Sequence, residues 1–390
     1  MKTNKEFGLV LPGGGTKGAY QVGAWKAIQE LNIKIKGIAG VSIGGLNGAL
    51  ILQDDIKKME ELYENININK IMKLDGKIDT NKSLFDFANI KNVAIDYVKQ
   101  KGIDNKPLRK LAEENVDIDK IYKSKMDFGL LTYSVKDRKP IKVFKNDIPR
   151  GEMIEYLLAS ACFPVFKAQK IEGNECFDGG LYDNIPINCL IEKGYKNIIV
   201  IDIAGVGFSK KVKDKNVYIK VISPSEDLGG TFEFNKKTIR RNMEMGYLDT
   251  LRSFSALQGH IYYFKNEEFI KLLEIFGLNT IYGLENAAKI YNIERYKIYS
   301  AEEFLKILEE KHKQAEEKYE RIRKNLNIKS FWQVRNNAND IFNKGLGLCL
   351  VQDFYMDHPA TKRLRYLDHY ISDYLLSSKA MIELENYLNN

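Results

Sequence analysis

The chain has 390 residues, of which 44% are hydrophobic and 29% charged, values typical of globular proteins that bury a substantial core. A polar N-terminus leads directly into a strand-like run, and no apolar stretch has the length of a bilayer span, so we expect neither a signal peptide nor a transmembrane helix. We expect a cytoplasmic protein. Its net charge of +8 either belongs to an ordinary solvated surface or attracts the protein peripherally to an anionic membrane. Nucleic acid is not an expected partner.

Up to about residue 222, short β-branched runs alternate with amphipathic helical stretches, which predicts a parallel or mixed sheet covered by helices. Two predicted helices, Gly18 to Leu31 and Ile43 to Leu52, follow the first two predicted strands. The predicted strands are Phe7 to Pro12, Lys36 to Val41, Phe128 to Val135, Ile141 to Phe144, Phe166 to Phe177 with a turn at Gly173 and Asn174, Asn197 to Ile203, and Val217 to Ile222.

Residues 54–125 are predicted to be helices and loops inserted between strands. Such an insertion over a sheet edge can form a lid or an acyl-chain groove, although an apolar helical insertion more often serves packing alone. Its apolar anchors are Leu62, Ile71, Phe85, Phe87, Val98 and Leu108.

After about residue 235 the strand signal fades and charge-rich helical sequence continues to the end. We therefore expect a catalytic domain over residues 1–260 and a helical region of unassigned role over residues 261–390. One predicted helix, from about Glu302 to Leu326, has an apolar stripe that packs on a neighbouring helix or lies on a membrane surface. The stripe consists of Phe304, Leu308, Ala315, Tyr319, Ile322 and Leu326.

The four cysteines show no CxxC spacing and are too few for a disulfide framework in a chain of this size. We expect reduced thiols at Cys162, Cys176, Cys189 and Cys349.

The first motif is GGGTKG, residues 13–18, directly after a predicted strand and before a predicted helix. Backbone N–H groups in such a loop can face one point and hold negative charge. The same letters satisfy the dinucleotide-binding pattern GxGxxG, which requires an acidic residue at the end of the second strand. That strand ends in Val41-Ser42 instead, so NAD or FAD binding is disfavoured and no cofactor is expected.

The second motif is GVSIG, a GxSxG pattern in strand-to-helix context that exposes the hydroxyl of Ser42 on a sharp turn. Gly40 and Gly44 flank the serine and allow the chain to turn tightly. Because parallel strands gather ligands at their carboxyl ends, this turn and the glycine loop are expected to lie together.

A serine nucleophile needs a base, and the first 250 residues contain no histidine. A Ser-His-Asp triad would have to take a histidine from the C-terminal region, where the four are His260, His312, His358 and His369. The other candidate is Asp178 in the sequence DGG, because Gly179 and Gly180 permit a turn that aims the carboxylate back toward another strand end, although a plain Asp-Gly turn is the simpler reading.

The blocks GGGTKG, GVSIG and DGG, in this order, resemble the oxyanion loop, nucleophile elbow and catalytic Asp motif of patatin-like phospholipases. The sequence ASACFP at residues 159–164 is similar to the block before that Asp, and Asn184 with Pro186 is similar to the segment after it. The resemblance extends from about Glu6 to Leu251.

The resemblance implies a three-layer α/β/α sandwich with a mostly parallel central sheet, followed by a C-terminal helical region. It implies that Ser42 is the nucleophile and Asp178 the general base of a Ser-Asp dyad that hydrolyses lipid or fatty acyl esters through an acyl-enzyme. It further implies an oxyanion hole formed by Gly13, Gly14 and Gly15, with Lys17 nearby. Such a site needs no metal ion. An acyltransferase on the same dyad, or a pseudoenzyme whose helical region binds a partner, are the alternatives.

Overall fold

The computed structural model describes residues 5–74, 102–326, 345–357 and 368–389. The chain divides into two compact units, Met1–Ser253 and Phe254–Asn390. Within the described ranges, no helix combines the length and the apolarity required of a membrane span.

The first unit is built on one mixed sheet of eight strands in the order β5-β6-β3-β2-β1-β7-β8, with β4 pairing separately with β3. Strands β3, β2, β1, β7 and β8 are parallel, whereas β4, β5 and β6 run antiparallel to their neighbours. The bounds are β1 (Glu6–Leu11), β2 (Lys34–Gly40), β3 (Asp127–Ser134), β4 (Lys139–Phe144), β5 (Gln169–Ile171), β6 (Asn174–Asp178), β7 (Asn197–Ile201) and β8 (Tyr218–Ile222).

Helices cover both faces of this sheet. Successive side chains of a strand point to opposite faces, and apolar side chains on each face pack against helices. On one face, Val10 and Ala39 pack with Cys189 and Leu190 of helix α7. On the other face, Ile38 lies against helix α2, where a Cβ at Gly48 would stand 3.2 Å from its Cγ2 atom. The unit is therefore the α/β/α sandwich expected from the sequence. Its helices are α1 (Ala19–Glu30), α2 (Ile43–Ile51), α3 (Ile56–Glu64), α4 (Lys106–Asn115), α5 (Ile118–Lys123), α6 (Met153–Ser160), α7 (Ile187–Glu192) and α8 (Lys236–Ser253).

The predicted insertion contributes helices α3, α4 and α5 to the first unit. Its predicted anchors Leu62, Ile71 and Leu108 all line the cavity described below. Phe85, Phe87 and Val98 lie outside the described residues.

The second unit is mainly helical, as expected, but the expectation that strands end near residue 235 is wrong. A small three-stranded sheet joins β9 (Leu257–Gln258), β10 (Tyr263–Lys265) and β11 (Ile298–Tyr299). Strands of two or three residues are too short to show the alternation on which a strand prediction depends. The helices are α9 (Asn266–Ile275), α10 (Leu278–Ile290), α11 (Ala301–Leu326), α12 (Gly347–Asp357) and α13 (Asp368–Leu388).

The apolar stripe of α11 is part of the buried core of the second unit. Phe304, Leu308, Ala315 and Tyr319 are buried there, and Ile322 packs against the same cluster. The stripe therefore packs within the unit, and the membrane-surface alternative for it is wrong. The side chain of Leu326 lies outside the described residues.

All four cysteines are buried and unbridged, in agreement with the prediction of reduced thiols. Burial raises the pKa of Cys162 to about 12, so this thiol, which lies close to the site below, stays protonated and is a poor nucleophile.

Candidate active site

Ser42 occupies a strained turn between β2 and α2. Its backbone angles are φ 56° and ψ −128°, a conformation that residues with a side chain rarely adopt. The neighbouring glycines are required by contact, since a Cβ at Gly44 would stand 1.9 Å from the Leu11 carbonyl oxygen and one at Gly40 would stand 2.5 Å from that of Gly44. Local strain at one residue, held by close backbone packing around it, is the arrangement expected of a GxSxG turn.

Strands β2 and β6 approach each other end to end along the same edge of β3. Strand β4 pairs with residues 129–134 of β3, so β2, which pairs with residues 127–130, and β6, which pairs with residues 132–134, share the opposite edge. Strand β2 ends with Gly40 opposite Leu130, and β6 ends from the other direction with Asp178 opposite Thr132. The antiparallel β6 therefore brings Asp178 to the carboxyl end of β2, where Ser42 follows.

Ser160, at the end of α6, connects this junction to the serine turn. Its hydroxyl donates to the carbonyl oxygen of Leu131 at 2.8 Å and accepts from the backbone N–H of Ser42 at 3.0 Å. Leu131 is the residue between the ends of β2 and β6. One buried hydroxyl thus provides a hydrogen-bond partner for both the Leu131 carbonyl and the Ser42 N–H, at the place where the β2 and β6 pairings end.

Asp178 is a buried carboxylate, with only 5% of its surface exposed. It accepts a hydrogen bond from the backbone N–H of Gly180 at 2.8 Å. Burial raises its pKa to about 6, although the nearby Ser42 hydroxyl and the Gly180 N–H lower it in part. A carboxyl group with this pKa is ionised at neutral pH and is a stronger base than an ordinary aspartate.

The glycine loop lies beside Ser42, where a Cβ at Gly13 would stand 2.9 Å from the Ser42 Cβ. Asn184 binds both backbone groups of Gly13: its Oδ1 accepts from the Gly13 N–H at 3.1 Å and its Nδ2 donates to the Gly13 carbonyl at 3.1 Å. The N–H of Gly13 is therefore already engaged. Gly14 and Gly15 precede the first hydrogen bond of a 3₁₀-helix (Gly15–Gly18), so their N–H groups have no intrahelical acceptor. Of the three expected donors, these two remain candidates.

The amine of Lys17, the other residue expected near this loop, is bound to a backbone carbonyl of another segment. Its Nζ donates to the carbonyl of Ala204 at 3.1 Å and so joins the loop to the segment after β7.

The serine, the carboxylate and the glycine loop stand together in the lining of one cavity of about 570 Å³. The rest of the wall is mainly aliphatic and aromatic. Such a cavity accommodates an apolar chain, with polar groups gathered at one place. The apolar lining includes Leu46, Leu50, Leu62, Ile71, Leu108, Leu111, Phe163, Phe166, Phe232 and Phe234.

Among the described residues that line this cavity, none is a histidine. Both ring nitrogens of His312 are engaged inside the second unit, with the Tyr291 hydroxyl at 2.6 Å and the Glu385 carboxylate at 3.0 Å. The His260 ring lies against the Tyr282 ring, also in the second unit, with ring centroids 5.3 Å apart. His358 and the side chain of His369 lie outside the described residues.

Two residues of this site have contacts that the sequence did not reveal. Ser160 and Asn184 lie in blocks that resemble family segments, but their hydrogen bonds to Ser42 and Gly13 join residues 118 and 171 positions apart. Both are small polar residues that the structure buries, so each requires hydrogen-bond partners.

The fold and the site define an α/β protein with a strained serine turn, a glycine loop and a buried aspartate at the strand ends of one sheet. Residues 9–191 match the family model described as patatin-like phospholipase. The first unit therefore contains a patatin-like phospholipase domain, and the resemblance seen in the motifs is confirmed over these residues.

Short segments of the chain are similar to much longer curated proteins. One stretch of 52 residues is 52% identical to neuropathy target esterase sws of Drosophila sechellia, covering 13% of this chain and 4% of that protein. A stretch of 48 residues is 56% identical to the protein of that name in Drosophila persimilis, covering 12% of this chain and 3% of that protein. The chain thus matches only about 4% of the length of these relatives. Among solved structures, VipD from Legionella pneumophila is similar with a TM-score of 0.43 at 15% identity, covering 98% of this chain and 86% of that chain.

Proposed function

We propose that this chain is a serine lipid acyl hydrolase, which cleaves carboxylic ester bonds of lipids with Ser42 as nucleophile and Asp178 as base. The observation that carries the proposal is that Ser42, on its strained turn, lines the same apolar cavity as the buried Asp178 carboxylate, whose pKa is raised to about 6. The patatin-like phospholipase domain and the similarity to proteins named as esterases support the same reaction class.

In the first step, Ser42 Oγ attacks the ester carbonyl carbon while Asp178 takes the hydroxyl proton. The carbonyl oxygen becomes an oxyanion, to which the N–H groups of Gly14 and Gly15 donate. When the tetrahedral intermediate collapses, the carbon–oxygen bond to the alcohol breaks and Asp178 returns the proton to the leaving oxygen. Loss of one donor of this kind typically costs about 2.7 to 4 kcal/mol in the transition state.

In the second step, a water molecule attacks the acyl-enzyme carbonyl and gives its proton to Asp178. Collapse of this second intermediate breaks the bond to Ser42 Oγ, which recovers a proton from Asp178, and the fatty acid leaves. The same carboxyl group therefore acts as base and then acid twice in each cycle.

The burial of Asp178 is what makes an aspartate adequate for this role. A carboxylate with an ordinary pKa is a weak base toward a hydroxyl, whereas desolvation destabilises the charged form and so favours proton uptake. The balance near a pKa of about 6 leaves Asp178 ionised at neutral pH and still more basic than an exposed aspartate.

The lining of the cavity indicates that it binds the acyl chain of the substrate. Its wall beyond the serine is apolar over most of its area and offers few hydrogen-bonding partners for a sugar, nucleotide or peptide. We therefore expect kcat/KM for p-nitrophenyl esters to rise with acyl chain length until the cavity is filled.

The decisive experiment measures ester turnover and covalent labelling by a fluorophosphonate in Ser42→Ala and Asp178→Asn. Both variants are expected to lose nearly all turnover, because groups that act as one unit fail together. Labelling is expected to disappear in the first and to slow strongly in the second. Full turnover in Asp178→Asn would show that another group is the base.

Matched controls replace a buried serine and a buried aspartate outside the site. Ser134→Ala removes a buried hydroxyl bonded to Asp137, and Asp183→Asn removes a buried carboxylate that accepts from the Lys210 N–H. Both are expected to keep turnover.

Adding an acceptor alcohol to wild-type protein then separates hydrolysis, which releases free fatty acid, from acyl transfer, which releases a new ester.

A further inference from the structure

The mouth of the cavity is formed partly by large apolar side chains that face solvent. Val206 and Phe208, in the segment between β7 and β8, are 76% and 67% exposed, and Leu181 is 39% exposed. All three also line the cavity. Exposed apolar side chains are common singly, but three at the entrance of an apolar cavity form a patch that needs an apolar partner.

Backbone pairing holds the three side chains in one place. The N–H of Phe208 donates to the Gly180 carbonyl at 3.0 Å, and the N–H of Asn184 donates to the Phe208 carbonyl. Gly207 lies so close to this partner segment that a Cβ there would stand 2.7 Å from the Asn184 Cβ. The apolar tip is therefore fixed against the same segment that follows Asp178.

The sequence that continues from this tip is basic. Residues 205–217 contain four lysines, Lys210, Lys211, Lys213 and Lys215, and one acidic residue, Asp214. All four lysines are exposed. Lys213 pairs with Glu192, whereas the amine of Lys210 lies 4.1 Å from the centre of the Tyr182 ring. Apolar side chains next to an excess of exposed lysines complement a surface that is apolar inside and negative outside.

We propose that Leu181 and residues 205–211, here called the docking loop, bind an anionic lipid bilayer and open the cavity toward its acyl chains. This inference rests on the proposed function, because it identifies the bilayer as the place from which the lipid ester enters the cavity. Val206 and Phe208 enter the interface, and Lys210 and Lys211 contact anionic headgroups. A lipid acyl chain then reaches the apolar wall without crossing water.

The test is sedimentation with phosphatidylcholine vesicles, with and without phosphatidylserine, carried out in the Ser42→Ala background so that no lipid is consumed. The parent variant is expected to bind the phosphatidylserine vesicles at least about tenfold more tightly than the neutral ones, and to lose this preference at high salt. Val206→Ser with Phe208→Ser is expected to weaken binding to both vesicles by about tenfold or more. Lys210→Gln with Lys211→Gln is expected to remove most of the preference for phosphatidylserine.

Matched controls change the same residue types elsewhere on the surface. Ile270→Ser with Leu273→Ser replaces two apolar side chains of α9 that are 54% and 41% exposed, and Lys311→Gln with Lys318→Gln replaces two exposed lysines of α11. These are expected to bind as the parent does. Docking-loop variants that bind like these controls, while all unfold at the parent's temperature, would overturn the proposal.

Failure of this inference and failure of the proposed function give different results. Turnover of a soluble short-chain ester by wild-type protein, with vesicle binding unaffected by the docking-loop changes, leaves the hydrolase and removes the docking loop. Vesicle binding that depends on the docking loop, without ester turnover or fluorophosphonate labelling, leaves the docking loop and removes the hydrolase.

Discussion

Asn184 holds Gly13 by both of its backbone groups, accepting from the N–H and donating to the carbonyl, each at 3.1 Å. Its Nδ2 also lies 3.4 Å from the carbonyl of Gly205, so the same carboxamide joins the glycine loop to the docking loop. The side chain is 3% exposed. The position of the glycine loop beside Ser42 therefore depends on a residue that follows Asp178 in the chain.

Asn184→Ala is expected to lower kcat for ester turnover while KM changes little. The substitution frees the glycine loop and leaves two buried backbone groups of Gly13 without partners, which also costs about 1 to 3 kcal/mol of folding stability. Steady-state kinetics and urea unfolding measure the two effects. If folded Asn184→Ala turned over substrate at the wild-type rate, Asn184 would have only a structural role.

Ester turnover is expected to rise with pH through about 6 and then reach a plateau. The base must be ionised to accept the Ser42 proton, and burial raises the pKa of Asp178 to about 6. The kcat/KM profile of a soluble ester, whose own ionisation does not change in this range, reports this pKa in the free enzyme. A profile that stays flat down to the ordinary aspartate pKa of 3.8 would contradict this account of Asp178.

Asp178→Asn is expected to stabilise the fold at about pH 8 and to have little effect at about pH 4. The folded pKa, about 6, lies above the ordinary value of 3.8, so the native state loses stability as pH rises between these values and the buried carboxyl ionises. Asparagine keeps an oxygen for the Gly180 N–H without the charge. Because one pKa unit corresponds to about 1.4 kcal/mol, the gain at high pH is at most about 3 kcal/mol.

Thermal unfolding of Asp178→Asn and wild type across this pH range measures the effect. The control Asp183→Asn replaces another buried carboxylate whose pKa burial also raises, but which Lys142 and Lys210 partly stabilise. A difference between Asp178→Asn and wild type that did not depend on pH would have to come from packing.

Ser42→Gly is expected to be more stable than Ser42→Ala. Both variants lack the hydroxyl, so their difference isolates the backbone, which alanine must also hold at φ 56° and ψ −128°. Strain of this kind costs about 1 to 3 kcal/mol, partly offset by the greater chain entropy of unfolded glycine. Urea unfolding should show a net advantage of about 1 kcal/mol for glycine. Equal stabilities would mean that the turn is not strained.

The parallel strands β1, β2, β3, β7 and β8 were predictable because each has enough β-branched and apolar residues to be recognised alone. That Ser42 and Asp178 line one cavity was predictable, because short motifs with glycine neighbours mark both residues. The engagement of Gly13 by Asn184 was not predictable, because a sequence does not show which of three adjacent N–H groups is already paired. The sheet of β9, β10 and β11 was missed because each strand is only two or three residues long.

Strand β3 contains neither of the two proposed reacting groups, yet its pairing sets the distance between them. Slipping β6 by one residue along β3 would move Asp178 by about 3.3 Å and turn its side chain to the opposite face of the sheet. A hydrogen bond tolerates only a few tenths of an ångström around its reach of about 2.6 to 3.2 Å. Insertions between Leu130 and Thr132 should therefore be excluded from active members of such a fold.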